Sequence, residues 1–196
     1  MFIVIEGLDG IGKTTTAEHL AAKLKGEFFP WLHSPYEQAL PCIWENDLVS
    51  EASKHLAFLA TFRHMSDIVA SPSYQDKTMV TDRYYFCSFA MHEPLARITG
   101  EKALNLKNIP LGFKRPDFAF YLALGEKQRR ERLASRSKPL TPVEILLSEN
   151  AAFRAQVTQN YEAMATAGEM KKIDIDDLST EQIVEEIVLK SGFKAG

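Results

Sequence analysis

The fold of this 196-residue chain is decided by residues 7–14, which read Gly7-Leu8-Asp9-Gly10-Ile11-Gly12-Lys13-Thr14. The stretch has the complete spacing of a phosphate-binding loop, and it stands between a strand-like run at 2–5 and a helix-like run at 14–24. Its glycines allow a tight curl that turns backbone N–H groups toward an anion, and the helix adds the positive end of its dipole. The alternative is a plain glycine turn, which would not require Lys-Thr after the last glycine. The loop therefore predicts a nucleoside triphosphate site.

We assign ATP and Mg²⁺ to this loop and to the first turn of its helix. Lys13 can reach the β- and γ-phosphates, and the hydroxyl of Thr14 can ligate Mg²⁺. The residues predicted to bind ATP here are Gly7, Gly10, Ile11, Gly12, Lys13, Thr14 and Thr15.

Composition is that of an ordinary globular protein, with 45% hydrophobic and 25% charged residues. The formal net charge of −3 argues against a protein built mainly to hold nucleic acid. No apolar run approaches the roughly 18 residues of a membrane span, and the amino-terminal run is too short for a signal peptide. We expect a single domain over residues 1–196, a cytoplasmic location, and neither a nucleic-acid nor a membrane partner.

Strand-like and helix-like segments alternate along the chain. Apolar runs predict strands at 2–6, 27–33, 78–82, 118–124 and 171–176. Helical periodicity predicts helices at 14–25, 52–70, 84–99, 126–135, 142–167 and 180–190, with Ser179 as the N-cap of the last. This alternation predicts an α/β fold with a five-stranded parallel sheet covered by helices on both faces. Ligands bind at the carboxyl ends of the strands in such folds.

Charged residues stand at two of these strand ends. Asp82 and Arg83 follow the third strand, where a carboxylate suits a place near Mg²⁺ and a guanidinium can bind phosphate oxygens. A surface salt bridge is the alternative for this pair. Asp9 lies inside the loop, where its charge repels phosphate, so it indicates a second partner such as a sugar hydroxyl or a cation. A solvated turn residue is the alternative for Asp9.

Arginines concentrate in the segment 126–138, and Arg129, Arg132 and Arg136 share one helix face by their spacing. The run is either a solvated helix face or a mobile lid over the phosphate that is transferred. In a lid, the guanidinium groups would stabilise the charge of the transition state.

The opening from Phe2 to Thr15 resembles that of thymidylate kinases. The order of motifs continues through Arg63, then Asp82-Arg83-Tyr84, then Arg115-Pro116-Asp117 and the arginine-rich segment, so the resemblance covers essentially the whole chain. It implies a three-layer P-loop kinase fold with a small helical lid at about 126–150. It also implies an ATP- and Mg²⁺-dependent kinase of a pyrimidine (deoxy)nucleoside monophosphate, and a homodimer.

The resemblance further implies roles for individual residues. Lys13, Asp9, Arg83 and Arg136 would be catalytic, Arg132 and Arg136 would lie against the donor nucleotide, and Thr14 and Asp82 would hold the metal. The acceptor would contact Asp9, Phe62, Arg63, Arg83, Tyr84 and His92. For Phe62 a core aromatic is an equal alternative, for Arg63 a solvated helix face is one, and for His92 an ordinary polar contact is one.

Three segments depart from the family pattern. Residues 31–36, Trp-Leu-His-Ser-Pro-Tyr, replace the usual Arg-Glu-Pro-Gly-Gly-Thr, His92 replaces a glutamine, and the lid lacks the usual Asp-Arg pair. The segment at Ser34-Pro35 and the helix from Phe153 to Met164 resemble instead the mitochondrial UMP–CMP kinase-like branch. The acceptor therefore stays open. The alternatives are a kinase of a nucleoside or another small acceptor, and a nucleotide-binding regulatory protein with a degenerate active site.

Overall fold

The predicted alternation of strands and helices is confirmed in a computed structural model, which describes residues 1–106 and 112–192. Strands β1 to β5 are Phe2–Glu6, Glu27–Phe28, Met79–Thr81, Phe118–Ala123 and Lys171–Asp174. Helices α1 to α8 are Lys13–Lys23, Tyr36–Trp44, Glu51–Ala70, Tyr85–Thr99, Glu126–Ala134, Pro142–Glu149, Ala151–Thr166 and Thr180–Ser191.

The five strands form one parallel sheet in the order β2-β3-β1-β4-β5. The central strand, β1, is buried along its whole length, and Ile3 lies opposite Val80 on one side and Phe118 on the other. Its near-continuous apolar sequence suits a parallel strand that is covered on both faces. The phosphate loop therefore leaves the sheet at the middle of its carboxyl edge.

The helices form two groups. Helix α1 packs against α8, whereas α3, α4 and α7 pack side by side in a row. Side chains from the sheet and from both groups belong to one hydrophobic core, for example Phe120, Tyr161 and Ile187. The prediction of a parallel sheet flanked by helices is thus confirmed. Within the described ranges, no helix combines the length and the hydropathy that crossing a membrane requires.

The largest differences from the sequence-based expectation are at β2, at α2 and between α6 and α7. Strand β2 ends at Phe28 rather than at residue 33, because Phe29 donates a last sheet hydrogen bond to Val80 O (2.8 Å) and Pro30 has no N–H to continue the ladder. Helix α2 was not predicted, and the proline inside it, Pro41, obscures its helical pattern. The helix expected at 142–167 is two helices, since Asn150 is extended and caps α7 by accepting from Phe153 N–H (2.9 Å).

Gly7 allows the chain to turn from β1 into the loop. Its φ is +138°, a conformation that L-residues rarely adopt. A Cβ at this position would also lie 2.5 Å from both the carbonyl oxygen of Leu122 and the Cδ1 of Ile11. The position therefore requires glycine for two separate reasons.

Replacing Gly7 tests how far the fold depends on this close approach. Gly7→Ala should lower the free energy of unfolding by about 3 kcal/mol or more, because a backbone oxygen in a sheet cannot move aside. Gly168→Ala is the matched control, since Gly168 has a φ of +77° but open space around it, and should lose about 1–2 kcal/mol. Chemical denaturation measures both losses. Equal losses would mean that backbone conformation alone, and not the contact with β4, makes Gly7 necessary.

Candidate active site

The phosphate loop is wrapped around the side chain of Lys13. The ammonium group donates to the carbonyl oxygen of Leu8 (2.7 Å) and to Asp9 Oδ1 (3.2 Å), and the residue is buried. Burial lowers the pKa of Lys13, and the positive charge of Arg83 lowers it further. The predicted phosphate-binding lysine is thus held inside the loop by two oxygens that the oxygens of a bound phosphate can replace.

Thr14 and Asp82, the two predicted metal ligands, lie together. Thr14 Oγ1 donates to Asp82 Oδ2 (2.5 Å), while the buried Asp82 Oδ1 has no hydrogen-bond partner among the described residues. An unpaired carboxylate oxygen beside a hydroxyl is a donor set that fits Mg²⁺, which takes few protein oxygens and completes its shell with phosphate and water. The described parts of the chain contain no group of three or more His, Cys, Asp and Glu arranged to hold a metal.

Asp9 and Arg83 form a partly buried ion pair through Asp9 Oδ1 and the Arg83 guanidinium. Burial alone would raise the pKa of Asp9, but the charges of Arg83 and Lys13 hold it well below its ordinary value. Burial alone would lower the pKa of Arg83, and Asp9 holds it above its ordinary value. Both groups are therefore charged at neutral pH. The guanidinium also lies over the ring of Trp31, 5.8 Å from its centre.

Glu6, at the end of β1, fixes the helix that follows Arg83. Its Oε1 accepts from the backbone N–H groups of Tyr84 (2.7 Å) and Cys87 (3.3 Å), and its Oε2 accepts from the hydroxyl of Tyr161 (3.2 Å). The N-cap residue of α4 supplies no side-chain cap, so Glu6 caps that helix from another element. Burial raises the pKa of Glu6 to about 7.

A cavity of about 330 Å³ opens beside the loop, with Asp9 and Arg83 in its lining. One side of the cavity is aromatic. The ring of Phe58 stacks on Trp31, with the ring centres 5.0 Å apart, and lies 5.0 Å from the ring of Trp44. These three aromatic residues were missed in the sequence. The signal for Phe58 was its place on the buried face of α3, one turn from Phe62.

Four of the predicted acceptor-binding residues are not in the lining of this cavity. Arg63 is 45% exposed and pairs with Asp67 (2.8 Å), because a position next to the buried Phe62 is rotated by about 100° around α3. Phe62 itself is a core residue, the alternative left open for it. Tyr84 is buried, and its hydroxyl donates to Lys114 O (3.1 Å). His92 accepts from Leu104 N–H through Nε2 (2.7 Å).

The arginines of α5 and the segment after it have separate partners. Arg132 donates to the carbonyl oxygen of Ile11 in the phosphate loop (2.7 Å), and Arg136 pairs with the buried Glu144 (2.8 Å). Arg129 is fully buried: it donates to Asp9 O (3.0 Å) and pairs with Glu126 (2.7 Å). Arg132 therefore lies against the phosphate loop, whereas Arg129 connects that loop to α5 and to the end of α6.

Comparison with known proteins decides the family. The family model described as thymidylate kinase matches residues 5–187. The chain belongs to the thymidylate kinase family. Among curated thymidylate kinases, those of Onion yellows phytoplasma (strain OY-M) and of Aster yellows witches'-broom phytoplasma (strain AYWB) are each 26% identical over 189 residues. Each match covers 91% of this chain and 89% of the relative.

Solved structures share the fold of this thymidylate kinase family member. The thymidylate kinase of Candida albicans superposes with a TM-score of 0.74 at 19% identity, covering 97% of this chain and 92% of that one. A deoxyadenosine kinase from M. mycoides, with the products dCMP and dCDP bound, gives 0.72 at 17% identity, covering 98% and 99%. Membership in the family makes the chain a nucleoside monophosphate kinase, as the sequence motifs predicted.

Ionisation of the buried Glu6 should make stability depend on pH. Its pKa in the folded protein is about 7, against an ordinary value of 4.5, so between these values the folded state keeps a proton that the unfolded state has released. Stability should therefore fall as the pH rises through this window. Glu6→Gln keeps an acceptor oxygen and removes the ionisation, so it should gain on the order of 2–3 kcal/mol over wild type between pH 5 and pH 8.

Denaturant unfolding at both pH values measures this gain, and Glu18→Gln, on the exposed side of α1, is the control. A difference between Glu6→Gln and wild type that stays constant across the window would contradict the shifted pKa.

Proposed function

We propose that this protein transfers the γ-phosphoryl group of ATP to a pyrimidine deoxynucleoside monophosphate, dTMP, and releases ADP and the diphosphate. One observation carries the proposal: Asp9 belongs to the phosphate loop and also lines the aromatic cavity with Arg83. The donor site and the cavity are thus adjacent, with Asp9 in the lining of both. An acceptor phosphate held by Arg83 would lie beside the γ-phosphate of ATP held by Lys13, and such placement is the main requirement of phosphoryl transfer.

The acceptor needs no general base. A phosphate monoester has its second pKa near 6 and is mostly a dianion at neutral pH, so its oxygen is already a nucleophile. The protein's task is to hold two anions together, and the permanent charges of Arg83 and Lys13 serve it. Asp9 keeps Arg83 oriented in the absence of the acceptor.

The loop and its metal ligands support donor binding. Backbone N–H groups of residues 7–15 would surround the phosphates, and the positive end of α1 points at them. Thr14 and Asp82 would hold Mg²⁺, which neutralises phosphate charge when bound. This complete set of residues favours an active kinase over a regulatory protein with a degenerate site.

We further propose that residues 126–150 act as the lid of a single domain. Arg132 already contacts the phosphate loop, and Arg136 is held by Glu144, which lines the cavity. Closure of the lid over both nucleotides would exclude water and suppress hydrolysis of ATP.

The homodimer and the cytoplasmic location are also proposals. The resemblance to dimeric kinases supports the dimer, with α3 as the contact, and Leu56 on that helix is 43% exposed.

Activity should be measured as ADP release with dTMP, dUMP, UMP, CMP, dCMP and thymidine as acceptors. We expect dTMP to stimulate release, and Lys13→Ala to lower turnover on the order of 10²-fold or more, because it removes a charge directed at phosphate in a site with little water. Stimulation by thymidine alone would favour the nucleoside kinase. No stimulation by any monophosphate would refute the proposed function.

The variant Arg83→Ala tests whether Arg83 acts on the acceptor or on ATP. It should raise the KM for the acceptor by about tenfold or more and change the KM for ATP by less than about threefold, because Arg83 faces the cavity and Lys13 faces the donor. Arg97→Ala, which removes a 66%-exposed arginine of α4, is the matched control. The opposite pattern, in which ATP binding suffers more, would remove Arg83 from the acceptor site.

A further inference from the structure

The part of the cavity on α3 and α4 carries two polar side chains that the proposed phosphoryl transfer does not use. Ser88 is 1% exposed, and its hydroxyl has no hydrogen-bond partner among the described residues. His55 is 4% exposed, and its ring belongs to the same lining. A buried hydroxyl without a partner is unfavourable, so a ligand is the natural source of its hydrogen bond.

The protonation of His55 follows from its neighbours. Its Nδ1 lies 3.3 Å from the backbone carbonyl oxygen of Glu51, which can only accept, so Nδ1 carries the hydrogen. Burial, with a smaller contribution from the adjacent ring of His92, lowers the pKa of His55 to about 4. The ring is therefore neutral at pH 7, and Nε2 presents a lone pair.

The contacts along the cavity give it a direction. The guanidinium of Arg83 lies over Trp31, Trp31 stacks on Phe58, and His55 is one helical turn from Phe58. An acceptor with its phosphate at Arg83 would place its flat base against Trp31 and Phe58, where stacking is favourable. Its outer edge would then reach His55 and Ser88.

We propose that His55 and Ser88 recognise the edge of the acceptor base: the N3–H of the base donates to His55 Nε2, and a flanking carbonyl accepts from the Ser88 hydroxyl. This inference rests on the proposed function. It assigns to these two residues the selection, within that function, of a base with an N3–H between two carbonyls over cytosine. Cytosine would set its N3 lone pair against the lone pair of Nε2 and is disfavoured.

The residues proposed here to recognise the base differ from Arg63 and His92, which were expected from the sequence. Arg63 is paired at the surface, and the Nε2 of His92 is already occupied by Leu104 N–H. Ser88 shares one face of α4 with Met91 and Leu95, which also line the cavity and cover the apolar part of a base.

The test uses dTMP and its N3-methyl derivative, which lacks the donor and carries a bulkier group at the same atom. Wild type should prefer dTMP on the order of 10²-fold or more in kcat/KM, because one substituent removes a hydrogen bond and adds a clash. His55→Ala opens space opposite N3 and should bring the two substrates within a few-fold of each other, mainly through KM. It should also weaken the preference for dTMP over dCMP. His64→Ala, on the same helix but outside the cavity lining, should keep both wild-type preferences.

The outcomes separate this inference from the proposed function. Absence of turnover with every monophosphate refutes the proposed function, and this inference with it. Turnover of dTMP with an unchanged preference in His55→Ala overturns the inference alone.

If His55→Ala loses its thermal transition or ATP binding, the inference is tested instead with Ser88→Ala and with the wild-type protein. About a tenfold loss of kcat/KM for dTMP in Ser88→Ala, with rejection of N3-methyl-dTMP by wild type, supports the inference. Equal use of both substrates by wild type overturns it.

Discussion

One buried carboxylate holds the two halves of the site in register. Glu6 ends the central strand, and its oxygens accept the first N–H groups of α4 and the hydroxyl of Tyr161 on α7. The phosphate loop begins at the next residue, and Arg83 immediately precedes the backbone group that Glu6 binds. The donor side and the acceptor side are therefore placed by the same side chain. Burying this group is unfavourable for its charged form, and the raised pKa of Glu6 is the direct expression of that penalty.

The parts that the sequence predicted share a physical cause: they depend on the backbone. A phosphate loop between a strand and a helix defines its own geometry, and an Asp at the end of a parallel strand must lie at the sheet's carboxyl edge. Thr14 and Asp82 accordingly meet in the structure. The sheet itself followed from apolar runs alternating with helical ones, and the family comparison agrees with both.

The parts that the sequence did not predict depend on the direction of side chains and on contacts between distant residues. Phe58 and Arg63 lie on one helix, but only Phe58 reaches the cavity, because the rotation of a helix per residue separates them. The spacing of Arg129, Arg132 and Arg136 gave one common face and no information about depth. Arg129 is nonetheless fully buried, where it binds Asp9 and Glu126, whereas Arg136 is half-exposed and pairs with Glu144. These partners come from three different places in the chain, so the spacing of the arginines could not predict them.

The burial of Arg129 also has a mechanical consequence for the segment that carries the other arginines. One guanidinium nitrogen is bonded to the carbonyl oxygen of Asp9 and another to that of Leu147, so the start of α5 and the end of α6 are fastened to the same rigid point. The segment between them, which contains the rest of α5, residues 135–141 and most of α6, is anchored at both ends. Arg132 is three residues from Arg129 along the chain and Arg136 is seven, so this anchor restrains Arg132 more directly than Arg136.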